Sequence, residues 1–86
     1  MNDTDLAIKI VSPGEGAGEL LMKVRNYFSS DAREVWVMYS IARELHQHIR
    51  GEKGIHVFTI EDTFSSVLFP GLSIKVADLF FIPEAD

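Results

Sequence analysis

The 86-residue chain contains no cysteine, which excludes disulfide bonds and thiolate chemistry. This absence is typical of proteins in a reducing compartment, and we expect this protein in the cytoplasm. No apolar run approaches the roughly 20 residues of a membrane-spanning helix. The first residues are polar and acidic, unlike a secretory signal. The sequence therefore predicts a soluble protein that does not associate with membranes.

Basic residues are also scarce. The chain has 8 lysines and arginines against 13 acidic residues, which gives a net charge of −5. Tight electrostatic binding of nucleic acid needs a basic surface, so this balance argues against it. A weak local site is compatible with the balance, because Lys9, Lys23 and Arg25 all lie near the start of the chain. We expect weak nucleic-acid binding at most, through these three residues.

The length allows one domain, which we assign to residues 1–86. A domain of this size buries only about 60–65% of the surface that its unfolded chain exposes. Its hydrophobic fraction is nonetheless 47%, at the apolar end of ordinary composition. Two interpretations stay open: the apolar residues fill the core, or some of them remain exposed for a partner.

The N-terminal part of the chain has the pattern of a βαβ unit. Residues 6–11 are apolar on both faces except at Lys9, as in a strand buried on both sides. Apolar residues at three- and four-residue spacing predict a helix over residues 17–30. Residues 34–39 are β-branched and aromatic, which favours a second strand. A helix that connects two strands in this way predicts that the strands are parallel.

A β-hairpin is predicted to follow. Residues 43–50 fit either a short helix or a strand. The strand is favoured because residues 51–54 form a turn sequence and residues 55–60 fit a second strand. Pairing Arg50 with Ile55 places the apolar side chains of both strands on one face.

The other face of this hairpin would carry His46 and His48, together with Glu44, and would be half-exposed. Two histidines at this spacing could bind a metal ion, but such a site needs a third ligand. A solvated strand face is the better interpretation. Residues 76–81 could form a last helical turn.

The glycine-rich turn between the first strand and the helix invites comparison with phosphate-binding loops. Its sequence, Gly14-x-Gly16-x-Gly18, fits neither of the two common nucleotide-binding motifs. Glu15 and Glu19 would also repel a phosphate. The segment is predicted to be a plain flexible turn.

Lys9 is the most unusual residue of the first strand. A lysine in an apolar strand must either be paired at a cleft or extend its amine to solvent along its packed stem. Both alternatives are open. Lys23 and Tyr27 lie one helical turn apart on the same face of the helix. Trp36 is predicted to belong to the core.

Five segments together resemble one protein family. They are DLAIKIVSP (residues 5–13), KVRNY (23–27), EVWV (34–37), FPGLS (69–73) and ADLF (77–80). Their order and spacing are similar to those of the Uma-two group of restriction-endonuclease-like proteins, in the PD-(D/E)xK nuclease superfamily. The resemblance covers nearly the whole chain and matches the C-terminal half of those proteins.

The resemblance implies a mixed sheet flanked by helices, in which two acidic residues hold Mg²⁺ beside a lysine. The metal would activate water and neutralise the charge that develops on the phosphate. The chain departs from this pattern in three ways. The half that carries the first acid is absent, the second acid falls on Lys9, and an aspartate after the tryptophan strand appears as Tyr39. Lys23 and Tyr27 do match helix positions where the family places a catalytic lysine.

These observations predict an α/β (α+β) fold of the restriction-endonuclease type, truncated to a βαβ unit, a hairpin and a short C-terminal helix around a mixed four-stranded sheet. We expect a catalytically degenerate nuclease-like domain, with Lys23 and Tyr27 as vestigial catalytic residues and Lys9 in the acid position. No metal ligand and no cofactor are expected, except Mg²⁺ if another chain completes the site. The alternatives are a homodimeric binding or assembly module, or a metal-dependent DNA endonuclease completed by another chain.

The expected partner is a second copy of the chain or a related full-length chain. In the longer proteins of the family, neighbouring strands should cover the strand at residues 6–11. Without them, an apolar edge would face water, and such edges tend to associate.

Overall fold

A computed structural model describes residues 5–80 of the chain. The elements in chain order are β1 (Leu6–Ile10), α1 (Ala17–Ser29), β2 (Glu34–Tyr39), β3 (Glu44–Ile49), β4 (His56–Thr59), β5 (Thr63–Phe64), β6 (Ile74–Lys75) and α2 (Val76–Phe80). The first four strands form one sheet in the order β1-β2-β3-β4, with β1 and β2 parallel and the other pairs antiparallel. The predicted mixed four-stranded sheet is confirmed. Phe81, the last residue of the predicted C-terminal turn, lies outside the described residues.

The βαβ unit forms as predicted. Helix α1 begins after Gly16, whose backbone N–H donates to the Glu19 carboxylate at 3.2 Å. The helix lies on one face of the sheet, where its buried Val24 packs with Val35 and Val37 of β2. Among residues 5–80, no helix is long and apolar enough to cross a membrane.

The C-terminal segment covers the opposite face of the sheet. Trp36 and Leu45 point to this side and pack with Phe64 of β5 and Val76 of α2. The Trp36 and Phe64 rings meet edge to face, with centroids 5.0 Å apart. Trp36 is therefore a core residue, as predicted. The β5–β6 pair was not anticipated, because strands of two residues are too short to show a periodic pattern.

The hairpin forms, but its predicted register is wrong by two residues. Leu45 pairs with Phe58, whereas pairing Arg50 with Ile55 would have placed Leu45 opposite Ile60. Arg50 lies beyond the last residue of β3, and its side chain donates to the carbonyl oxygens of Ala32 and Phe28. The arginine thus bonds to the end of α1 and the connection to β2 instead of closing the turn. A shift of two residues leaves every side chain on the same face of the sheet. The apolar side chains of the hairpin, such as Leu45 and Phe58, therefore still share one face, as predicted.

The outer face of the hairpin is half-exposed, as predicted, although it is not freely solvated. His46 and His48 are half-buried and lie beneath Leu20 and Leu21 of α1. Because the βαβ connection places α1 over β2, the helix shields the neighbouring strand β3 only in part. Strand β2 is consequently covered on both faces, whereas a cleft remains between α1 and β3.

One buried carboxylate connects three parts of the fold. The side chain of Glu34 is fully buried and accepts hydrogen bonds from Trp36 Nε1, Gln47 Nε2 and Ser66 Oγ, each at 2.6 Å. The backbone N–H of Val67 donates to the same carboxylate at 3.1 Å. Glu34 therefore joins β2, β3 and the segment after β5.

Replacing Glu34 with alanine should destabilise the protein by about 3 kcal/mol or more. The change leaves several buried donors without an acceptor, and each costs about 1–3 kcal/mol. Urea unfolding followed by the fluorescence of Trp36, the only tryptophan, measures the loss. Glu61→Ala, at an exposed position in the turn after β4, is the control and should change stability by no more than about 0.5 kcal/mol. Equal stabilities for the two variants would contradict a structural role for Glu34.

Candidate functional site

A buried glutamate between two lysines lies at the junction of β1 and α1. Lys9 Nζ is 3.3 Å from Glu15 Oε1, and Lys23 Nζ is 2.7 Å from Glu15 Oε2. The Glu15 side chain is only 5% exposed, whereas Lys9 is 16% exposed and Lys23 about half exposed. We call these three residues the Glu15 cluster. Of the two alternatives for Lys9, the structure shows the paired one.

The glycine-rich turn positions Glu15. The Ser12 N–H donates to Glu15 Oε1 at 3.1 Å, while the Glu15 N–H donates to the Ser12 carbonyl at 3.1 Å. Gly14 has a φ of +84°, a conformation that glycine adopts without strain. The turn therefore folds back and directs the Glu15 carboxylate between the strand and the helix.

The hydrogen bonds of the cluster change the pKa values of Glu15 and Lys23. The hydrogen bond from Lys23, then that from Ser12, lowers the pKa of Glu15 from 4.5 to about 2, and Lys9 acts in the same direction. The hydrogen bond with Glu15 raises the pKa of Lys23 above its usual value. At neutral pH the cluster holds one negative and two positive charges.

The other predicted site residues do not join the cluster. Tyr27 is half-buried and packs against the core on the α1 side of the sheet. Arg25 is exposed. It lies two positions after Lys23 in the helix, and residues two positions apart are separated by about 200° around the helix axis, so the two side chains project from different faces. The structure thus brings together Lys9 and Lys23, but not Arg25.

The cluster does not fit a magnesium ion. Both Glu15 oxygens already accept from ammonium groups, and a protonated lysine cannot ligate a metal. Asp5 lies four residues before Lys9, about 13 Å along an extended strand. Within residues 5–80, no group of three or more potential ligands among histidine, cysteine, aspartate and glutamate is close enough to hold a metal ion.

A cleft of about 180 Å³ lies between α1 and the sheet, with Tyr39, His46 and His48 on its floor. His46 Nε2 is 3.1 Å from Glu44 Oε1, and the Tyr39 ring centroid is 4.4 Å from that of His46. Burial, and then the proximity of His46, lowers the pKa of His48, which favours its neutral form. The cleft walls are mainly aliphatic, so it can accept a small apolar group but offers few polar contacts.

Tyr39 also borders a second cleft, of about 200 Å³, at the carboxyl ends of β1 and β2. Its apolar lining includes Val11, Pro13 and Ile41. Burial, and then Glu44, raises the pKa of Tyr39. The aspartate that the resemblance implied here is thus replaced by a neutral phenol, which further weakens the fit to a metal.

Two carboxylates of structural importance were missed at the sequence level. Glu15 was considered only as a residue that repels phosphate, and Glu34 only as part of a motif. For Glu15, the signal is an acid that follows a glycine turn after a strand with one buried lysine. For Glu34 no such signal exists, since its partners lie up to 33 residues away.

The depressed pKa of Glu15 predicts an acid-dependent loss of stability. Because the folded pKa lies below the unfolded one, the stabilisation is fully present above pH 4.5 and disappears as the pH falls towards about 2. Glu15→Gln should therefore be less stable than wild type at pH 6, and the difference should shrink between pH 4.5 and 2. Urea unfolding at several pH values measures this, with Glu61→Gln as control. A difference independent of pH would exclude a charged Glu15 as its cause.

Comparison with known proteins finds similarity in structure but not in sequence. No protein-family model matches the chain, and no curated protein is significantly similar to it in sequence. Among solved structures, it is similar to a candidate nuclease of the DUF820 family from Anabaena variabilis, with a TM-score of 0.72 and 17% identity. The match covers 88% of this chain and 43% of that protein, so the chain spans less than half of its neighbour. At this identity the likeness shows the fold alone: the described residues form the nuclease-like α/β fold that the resemblance implied.

Proposed function

We propose that this chain is a nuclease-like domain that no longer catalyses phosphodiester cleavage, equivalent to the C-terminal half of the longer family proteins. The observation that carries the proposal is the Glu15 cluster. At the position where the resemblance implies a metal-binding acid, the strand presents Lys9, and the nearest acid is neutralised by two lysines. We further propose that the single domain acts in the cytoplasm.

Loss of the acid pair removes the chemistry that the fold would otherwise perform. Metal-assisted hydrolysis needs a cation that activates water and stabilises the developing charge on the phosphate. Lys9 and Lys23 supply positive charge, but an ammonium group neither coordinates water as a metal does nor lowers its pKa. Tyr27 is half-buried against the core, and its phenol cannot replace a metal-binding carboxylate pair.

Nucleic-acid binding is proposed to be weak for the same reason. Lys9 and Lys23 both form ion pairs with Glu15, which reduces their attraction for a phosphate. The net charge of −5 also repels phosphates. The expected dissociation constant lies in the range of non-specific binding, about 10⁻⁴–10⁻⁶ M at physiological salt.

The protein alone should not cleave plasmid or single-stranded DNA in Mg²⁺ or Mn²⁺. The assay compares wild type with Lys9→Glu, which restores an acid at the implied position, and with Lys23→Ala. We expect no cleavage from any of the three, because one acid is still missing in Lys9→Glu. Cleavage by wild type that disappears in Lys23→Ala would overturn the proposal. Cleavage that appears only when a longer relative is added would favour an endonuclease completed by another chain.

Removing the negative charge of Glu15 should strengthen nucleic-acid binding. Glu15→Gln frees the ammonium groups of Lys9 and Lys23, so the slope of log affinity against log salt should steepen by about one to two. Fluorescence anisotropy with a labelled single-stranded oligonucleotide measures affinity and slope. Glu61→Gln makes the same change in net charge at an exposed turn and should leave the slope unaltered. Identical salt slopes for the two variants would show that Lys9 and Lys23 of the Glu15 cluster do not contact nucleic acid.

A further inference from the structure

Strand β1 forms an edge of the main sheet. It pairs only with β2 in the described part of the chain. The Val11 N–H donates to the Met38 carbonyl across this pair. Backbone direction alternates along a strand, so the N–H and C=O groups of Leu6, Ile8 and Ile10 point to the open side.

The side chains next to this open edge are apolar and exposed. Ile8 is 49% exposed and Ile10 is 58% exposed, on the face opposite α1. Neither the α1 helix nor the described C-terminal segment covers them. Natural sheets usually protect such an edge with proline or with charged side chains, and β1 carries neither at the three positions whose backbone faces outward.

We propose that β1 pairs with the β1 strand of a second copy in antiparallel orientation, with the two-fold axis at Ile8. The two four-stranded sheets would then join into one continuous sheet of eight strands. Ile8 would lie opposite its own copy, and Leu6 opposite Ile10. This proposal concerns assembly and does not depend on the proposed loss of catalysis.

The charge pattern of β1 favours self-pairing in this register. Lys9, the one charged residue of β1, would lie opposite Ala7, so like charges do not meet. An axis at Lys9 would instead place two ammonium groups directly opposite each other, which is destabilising. An inward-pointing lysine usually blocks edge pairing, but here Glu15 neutralises it from within the same chain. The ammonium group of Lys9 is thus paired within its own chain and faces α1, away from the open edge.

The second sheet edge offers a matched comparison. Strand β4 lies at the opposite side of the sheet and also exposes an apolar residue, Val57. It is shorter than β1 and pairs with β3 over four residues. A charge introduced on each edge in turn therefore tests which of the two assembles.

Sedimentation and light scattering of the wild-type chain should show a dimer at micromolar concentrations. Ile8→Lys should weaken dimerisation by more than about tenfold, since the two new charges would meet at the axis. Val57→Lys should leave the dimer intact. A wild-type monomer, or a dimer that only Val57→Lys dissociates, would overturn the proposal. Trp36 fluorescence and circular dichroism report whether each variant folds.

A crosslinking experiment keeps the proposal testable even if Ile8→Lys unfolds. The chain has no cysteine, so Ile8→Cys introduces a single thiol. Directly opposed residues in a hydrogen-bonded antiparallel pair have Cα atoms about 5.5 Å apart, within the range of about 4.4–6.8 Å that disulfides span. Ile8→Cys should therefore oxidise to a covalent dimer, whereas Ile41→Cys, at a more exposed position, should not. Equal crosslinking of both variants would show random collision and refute the register.

Discussion

The carboxylate of Glu34 is the interaction on which the arrangement of this small domain depends. It lies at the start of the central strand β2 and receives four hydrogen bonds, from the indole, an amide, a hydroxyl and a backbone N–H. An isolated carboxylate could not be buried without a large free-energy penalty. Because all four donors must be in place, the carboxylate fixes where β3 and the segment after β5 lie relative to β2.

Glu15 and Glu34 show two ways in which a carboxylate can be buried, with different consequences for function. Donors without net charge surround Glu34 inside the core, on the face of the sheet opposite α1. Ammonium groups surround Glu15 at the junction of strand and helix, where solvent still reaches Lys23. Both carboxylates are fully engaged, so neither is available to ligate a metal ion without breaking contacts that stabilise the fold.

The sequence was sufficient to predict the elements whose pattern is local and long. Strand β2 begins and ends as predicted, and α1 ends within one residue of its predicted end. It was not sufficient for features set by distant contacts. One such feature is the hairpin register: Arg50 donates a hydrogen bond to the carbonyl oxygen of Ala32, in the connection between α1 and β2, and therefore does not pair across the turn. The burial of His46 depends on α1 crossing that face. In the candidate site, the sequence offered a paired Lys9 as one of two alternatives. Its partner, Glu15, could be identified only from the geometry of the turn.

The two faces of β1 connect the site to the proposed assembly. Ala7 and Lys9 point towards α1, while Ile8 and Ile10 point to the opposite face, beside the open edge. As long as Glu15 pairs with Lys9, the open edge of the strand presents only apolar side chains, which a second copy can join. Lys9 would lie one residue from the proposed axis, opposite Ala7, so loss of its pairing with Glu15 would leave an unpaired ammonium group beside the dimer seam. Assembly through β1 is therefore expected to depend on the ion pair between Lys9 and Glu15, which keeps the one charged side chain of the strand paired within its own chain.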